Sequence, residues 1–440
     1  MGRSRTTGYE VVLVGNYRLT LILSALSFTA LLGAEFGPVP VLGLAEPCPS
    51  GIFSFGDSLS DTGSRSNAFP GVMHCDYPPY GEKFFGKPSK RVSNGRLVLD
   101  FFALAFRRKP LLQPYIQNGP YDYRFGVNFA FSGATASGGA DSTPINLAAQ
   151  ILQFLKFKKD SEKLSQDLDF CALLGCNPDD INLPTKEVYE NALYTLEFGG
   201  NDIINSAKSG ADKSYVIGQV IPTAMNIIRA SAEKLYESGA RRFLFFATPN
   251  AGCSTILMTL FGETAELDSM GCVKIVSEYN RAYNAALRSV VAALRLQFAD
   301  AQMDIFDYYA ANEEILKNPT AYGFNPEKTM TACCGVVGAG KYNFDLKAQC
   351  GHPAVPMCAN PDEYVNWDGI HFTEQFYRTI ARFVLGGKFS DLGISYTAGC
   401  DSDFNLFNSS VTYDQAYPPA SSSSCSIPKL TVATSPYLVV

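Results

Sequence analysis

Five short, largely apolar runs, at 52–55, 127–131, 193–198, 243–247 and 303–306, limit this chain more than any other feature. Continuous rather than alternating hydrophobicity suits strands buried on both faces, as in a parallel sheet covered by helices. The segments between the runs carry helical spacing. Leu97, Phe101 and Leu104–Ala105 form one apolar stripe, Leu147, Ile151 and Phe154–Leu155 form another, and longer helices are expected over 215–237 and 276–298. Strand–helix alternation with right-handed crossovers makes a three-layer α/β/α domain. No internal repeat is present. A chain of 440 residues has room for two or three average domains, yet α/β enzymes often use such a length for one.

Candidate chemistry sits where these runs end. The first breaks at Gly56 and leads into a polar loop, Asp57-Ser58-Leu59-Ser60-Asp61, that carries Ser58. A serine just past the carboxyl end of a parallel strand lies where open α/β sheets place their ligands. Three further blocks follow in order: Asn128-Phe129-Ala130-Phe131-Ser132-Gly133-Ala134, Gly199-Gly200-Asn201-Asp202 and Asp368-Gly369-Ile370-His371. Each alone is weak, because short serine and glycine motifs recur by chance. Together with Pro78-Pro79-Tyr80-Gly81-Glu82, Phe84-Phe85-Gly86 and Asn94-Gly95-Arg96-Leu97, they resemble the plant-type GDSL esterase/lipase family within the wider SGNH hydrolases. The resemblance spans roughly residues 50 to 395. It implies a five-stranded, flavodoxin-like sheet and ester hydrolysis without a cofactor.

A serine hydroxyl is poorly reactive until a neighbouring base takes its proton. Ser58 is the candidate nucleophile; by itself it would read as a turn or N-cap serine. No glycine follows two residues later, so the loop differs from the Gly-x-Ser-x-Gly elbow of α/β-hydrolases. Of three histidines, His74 and His352 lack a carboxylate at a useful spacing, whereas His371 follows Asp368 by three residues. One tight turn would bring the Asp368 carboxylate to Nδ1 and leave Nε2 free for Ser58. Thr373 is expected to cap a helix whose Phe376, Ile380 and Phe383–Val384 face the core, fixing that loop. Three groups are candidates for an oxyanion hole: the backbone N–H groups of Ser58 and Gly133 and the side-chain amide of Asn201. A glycine after a strand is commonly only a turn; the flanking match to the family is what singles out Gly133. Asp57 and Asp61 are expected to hydrogen-bond the nucleophile loop, and Trp367 to pack the histidine loop. Gly335, Gly340 and Lys341 mimic a phosphate loop, but Tyr342 stands where Ser or Thr is required.

A net charge of −6 argues against nucleic acid or an anionic membrane surface as partner, and the cluster 156–163 and Arg241-Arg242 read as solvated faces. Arg3, Arg5 and Arg18 precede the uncharged apolar run 19–34, the pattern of a secretory signal peptide cut near Ala34 or Ala45. An uncleaved anchor is the other reading of that leader. No later stretch is long and apolar enough to span a bilayer. The domain is therefore expected over 46–400, followed by a serine-rich tail over 401–440. Twelve cysteines, all beyond the leader, agree with export, with Cys171–Cys176 and Cys253–Cys272 expected as local pairs. Cys333 and Cys334 are expected to look to Cys350, Cys358 or elsewhere rather than to each other. Asn408-Ser409-Ser410 is a glycosylation sequon. No spacing suits a metal site. The resemblance thus implies a secreted carboxylester hydrolase, of the cell wall or apoplast, acting on a small-molecule lipid, acetyl or phenolic ester. Two alternatives stay open: an acyltransferase using the same acyl-enzyme, and a catalytically silent carbohydrate- or lipid-binding protein on the same fold. Oligomeric state has no signature in the sequence.

Overall fold

The computed structural model describes residues 47–138, 143–172, 182–338 and 340–416. Its centre is one sheet of five parallel strands: β1 (Ile52–Gly56), β2 (Gly126–Asn128), β3 (Leu193–Glu197), β4 (Arg242–Phe246) and β5 (Gln302–Phe306), in the order β2-β1-β3-β4-β5. Ile52 pairs with both Gly126 and Leu193, which places β1 inside the sheet and makes its end the centre of the carboxyl edge.

Both faces are apolar, as the continuous runs require. Phe53, Phe55, Tyr194, Phe243 and Phe245 pack on one side against helices α2 (Leu147–Ala172), α4 (Ile221–Glu237) and α5 (Lys274–Gln297). Ile52, Leu193, Leu244 and Phe246 pack on the other against α1 (Val98–Ala105), α6 (Tyr308–Lys317) and α7 (Glu374–Leu385). A short helix, α3 (Gly200–Lys208), opens directly from the end of β3.

Two elements depart from their expected bounds. Strand β2 ends early because Asn128 turns its side chain onto the backbone, accepting from Ala130 and donating to the Ser60 carbonyl. Phe129 and Phe131 nevertheless still donate to Ser54 and Gly56. The helix expected over 215–237 opens with an α-helical turn, Lys213–Tyr215, widens to a π turn at Val216–Val220 and resumes as α-helix from Ile221. Pro222 has no N–H to give to the preceding turn, which favours the wider spacing there.

The block Asn94-Gly95-Arg96-Leu97 has a clear physical role. Arg96 is fully buried, with Nη2 2.7 Å from Glu374 Oε1, while its backbone N–H donates to Oε2 of the same carboxylate. Its guanidinium also donates to the carbonyls of Leu406 and Asn408 and lies over the rings of Phe84 and Phe101. Asn94 Oδ1 accepts from the Glu374 N–H, so the block holds the first turn of α7. Thr373 caps that helix, as expected, accepting from Phe376.

The described disulfides are Cys48–Cys400, Cys253–Cys272, Cys333–Cys358 and Cys334–Cys350. Cys75 is buried and unbridged, so pairing of all twelve cysteines is not reached. Cys176, half of the expected Cys171–Cys176 pair, and Cys425 lie outside the described residues. Arg242 is not on a solvated face: it is buried, and Nη1 donates to the Pro47 carbonyl. Residues 401–416 pack on the body through Phe407, which meets Phe101. Asn408 is exposed. Among the described residues no helix is long and apolar enough to cross a membrane.

Arg96→Ala would strand the buried Glu374 carboxylate, which costs about 3–5 kcal/mol. Denaturant titration of this variant should show that loss, with the midpoint falling well below wild type.

Candidate active site

Strand β1 ends because Gln150, on α2, captures both backbone groups of Gly56: Nε2 donates to its carbonyl at 2.8 Å and Oε1 accepts from its N–H at 2.9 Å. Beyond Gly56 the chain turns. Asp57 accepts from the Leu59 N–H at 3.0 Å and from Ser60 and Asp61 through its carbonyl, which presents Ser58 at the top of the sheet.

The loop does not stand alone. Asp61 is buried and gathers the N–H groups of Gly63, Ser64, Arg65 and Ser132 together with the Ser132 hydroxyl. Its carboxylate thus joins the Ser58 loop to the loop after β2. Asp202, in the first turn of α3, accepts from Ala136 and Ser137 and joins that loop to the end of β3. Gly199 opens α3 with φ of 114°, and a side chain there would collide with the Tyr283 ring, 2.3 Å from an added Cβ.

Ser58, His371 and Asp368 come together. His371 Nε2 is 2.9 Å from Ser58 Oγ, and Nδ1 is 2.8 Å from Asp368 Oδ2 and 3.1 Å from Oδ1. Asp368 also accepts the backbone N–H groups of Ile370 and His371. Burial by itself would raise its pKa, but His371 and these donors outweigh that and hold it at about 2. A hydroxyl, an imidazole and an ionised carboxylate in this order suit proton removal from the hydroxyl.

The candidate oxyanion donors are placed less simply. Asn201 Nδ2 donates to Asp57 Oδ2 at 3.2 Å and to the Ala134 carbonyl at 3.0 Å. Both acceptors belong to the protein, so a substrate oxyanion would have to displace one. Gly133 has φ of 84°, and Arg65 Nη1, which donates to the Ser132 carbonyl, occupies the space a side chain would need. Gly133 is not among the residues lining the cleft; Asp57, Ser58, Gly200, Asn201, His371 and Phe372 are. The cavity measures about 50 Å³, small against the usual range for ligand pockets of roughly 300–1,000 Å³. His74 and His352 are exposed elsewhere. Among the described residues, no group of three or more His, Cys, Asp or Glu is arranged to hold a metal.

Two functional neighbours escape a reading of the sequence alone. Tyr80, fully buried and edge-on to Trp367, donates its hydroxyl to Asp368 Oδ2 at 2.8 Å, extending the chain to four groups. Its only signal is membership of the Pro78-Pro79-Tyr80-Gly81 block. Glu197, at the end of β3, accepts a hydrogen bond from the Ser60 hydroxyl, while its Oε1 is buried without a partner. Burial raises Asp57 to about 7, against the pull of the Leu59 N–H and His371. Burial, helped by the Asp57 charge, raises Glu197 to about 8.

Comparison with known proteins gives the same class. The sequence profile of the family described as GDSL-like Lipase/Acylhydrolase matches residues 52–384. An esterase of Hevea brasiliensis is 33% identical over 373 residues, covering 81% of this chain and 90% of that protein. Acetylajmalan esterase 1 of Rauvolfia serpentina is 32% identical, with 79% of this chain and 88% of that protein covered. A GDSL esterase/lipase of Arabidopsis thaliana is also 32% identical, covering 77% of this chain and 86% of its own length. An all-parallel α/β/α sheet with this ordered set of blocks defines a carboxylic ester hydrolase. The chain belongs to the GDSL lipase/acylhydrolase family.

Tyr80→Phe should lower kcat about tenfold or more with little change in KM, because Asp368 loses a donor worth roughly 1.5–3 kcal/mol. Initial-rate kinetics check this, alongside a thermal midpoint close to wild type.

The raised carboxyls set a pH dependence of stability with a definite sign. In the unfolded chain Asp and Glu ionise near 4. Above that pH the unfolded state gains freely from ionisation, while the folded state resists it until about 7 and 8. Stability from this pair is full below pH 4 and is lost as pH rises towards 8. Glu197→Gln should flatten the fall in thermal midpoint between pH 5 and 8.5 and leave the variant the more stable protein at the upper end. Parallel slopes for variant and wild type would contradict this.

Proposed function

We propose that the chain is a secreted serine carboxylester hydrolase working through an acyl-enzyme on small-molecule esters. The observation that carries the reading is the Ser58–His371 contact of 2.9 Å between residues 313 apart, with Asp368 on the far ring nitrogen. In this reading His371 removes the Ser58 proton as Oγ attacks the ester carbonyl. Asp368 fixes the tautomer and stabilises the imidazolium. The N–H groups of Ser58 and Gly133 and the Asn201 amide hold the oxyanion, with Asn201 exchanging one of its resting acceptors for the substrate. His371 then protonates the leaving alcohol, and water releases the acyl group by the same steps reversed.

A cavity of about 50 Å³ favours a short acyl group, and the name of the Rauvolfia relative points to an acetyl ester as that protein's substrate. Export belongs to the same reading. It is supported by the apolar leader over 19–34 and by the four described disulfides. With them goes glycosylation at the exposed Asn408.

Ser58→Ala should abolish hydrolysis of acetyl and butyryl esters while leaving the thermal midpoint within a degree or two, and a fluorophosphonate probe should label wild type at Ser58. Labelling of another serine, or an alanine variant that keeps its rate, would refute the assignment.

A further inference from the structure

Helix α6 turns Tyr308, Ala311, Asn312 and Ile315 inward, the spacing of a single buried stripe. Tyr308, Ala311 and Ile315 belong to the apolar cluster beneath the sheet. Asn312 interrupts the stripe with an amide. It is only 3% exposed, and it lines the catalytic cleft together with Ser58 and His371.

Among the described residues, neither Nδ2 nor Oδ1 of Asn312 has a hydrogen-bond partner, and neither atom is sealed away. The neighbouring cleft amides differ. Asn250 donates to the Tyr309 hydroxyl and accepts from Gly252 and Ser277, and Asn366 donates to the Thr329 carbonyl. Those two are occupied in holding loops. Asn312 holds nothing. An amide that opens onto the cleft adds no hydrogen bond to the fold, whereas an aliphatic side chain here would continue the apolar stripe. Such local violations are where function is expected to have overridden folding.

We propose that Asn312 is a specificity-determining residue that hydrogen-bonds a hydroxyl or carbonyl on the alcohol portion of the ester. The inference rests on the roles given above to Ser58 and His371. The group that protonates the leaving oxygen must face the alcohol. Val365, Asn366 and Phe372, from the loop that carries His371, line the cleft together with Asn312 and Leu316 of α6, and α6 meets that loop where the Tyr308 ring packs on Phe372. Val365, Leu316 and Phe372 offer that alcohol an apolar surface, and Asn312 offers it a donor and an acceptor. A site built around such a group discriminates strongly against an analogue that lacks it, because the amide is then left unpaired.

The test compares esters that differ only in hydroxyl groups. Wild type should turn over glyceryl monoacetate with higher kcat/KM than its deoxy counterpart, propyl acetate. Asn312→Leu should lower kcat/KM for glyceryl monoacetate by about tenfold to a hundredfold, leave propyl acetate within about twofold, and keep or raise the thermal midpoint. If Asn312→Leu does not fold, Asn312→Ala carries the same comparison. Equal losses on both esters, no loss on either, no preference in wild type, or a fall in thermal midpoint that accompanies the kinetic loss would overturn the proposal. So would a loss confined to ethyl glycolate against ethyl acetate, which places the contact on the acyl side. Ser58→Ala is assayed in parallel on every ester. Turnover surviving in that variant means the serine mechanism itself has failed, whereas a dead Ser58→Ala with unchanged discrimination in Asn312→Leu removes only the role of Asn312.

Discussion

All five strands run the same way, and the site depends on that constraint. Parallel strands deliver their carboxyl ends, and the loops that follow them, to one edge of the sheet. Ser58, Gly133, Asn201 and Asn250 leave β1, β2, β3 and β4 there, and α6 follows β5. A shared edge brings loops near one another but does not fix them. Loop backbone has no ladder of its own, so its polar groups need other partners. Here the partners are buried carboxylates. Asp61 binds the loops after β1 and β2, Asp202 binds those after β2 and β3, and Asp57 accepts from Asn201 across from β1 to β3. The cleft is a consequence of these three contacts.

Buried carboxylates are costly, and the way each is compensated separates them. Asp368 is held by His371 and by the backbone N–H groups of Ile370 and His371, and stays ionised down to about pH 2. Asp61 collects four backbone donors and a hydroxyl, yet burial still leaves its pKa above the ordinary value. Asp57 and Glu197 have too few donors between them, and burial pushes both towards neutrality. A carboxyl that keeps its proton beside Ser58 adds no negative charge where the proposed mechanism forms an oxyanion. One that loses it would repel that oxyanion. The network beneath the site therefore trades stability above neutral pH for a low charge under the reacting atoms.

The sheet was legible because burial on both faces leaves a local trace, a run of apolar residues, at every strand. The meeting of Ser58, His371 and Asp368 was legible for a similar reason: Asp368 and His371 are three residues apart, and Ser58 sits at a recognisable strand end. Tyr80 lies 288 residues from Asp368, and no local pattern announces such a contact. Cys48 and Cys400 are 352 residues apart, so their bridge likewise has no spacing to betray it. Arg241 and Arg242 look alike in sequence, yet Arg241 precedes β4 and pairs with Asp300 at the surface, while Arg242 is the first residue of β4 and is buried. Asn312 was hidden by its helix, where one polar residue among apolar ones reads as noise until its lack of a partner is seen.

The histidine loop is held against a segment that is cross-linked by disulfides. Cys333 and Cys334 donate their backbone N–H groups to the carbonyls of Asn366 and Trp367, the latter at 2.7 Å. Each cysteine is then tied off in its own bridge, to Cys358 and Cys350, closing loops of 25 and 16 residues. Loops of this size restrict the unfolded chain by roughly 3 kcal/mol per bridge. Trp367 is fully enclosed behind this pair, with Tyr80 at its edge and Asp368 next in sequence. The bridges therefore brace the loop through packing and backbone hydrogen bonds without touching Ser58 or His371. An active-site loop that must hold a hydrogen bond between residues 313 apart gains its rigidity from the side away from the substrate, which leaves the cleft face free for recognition.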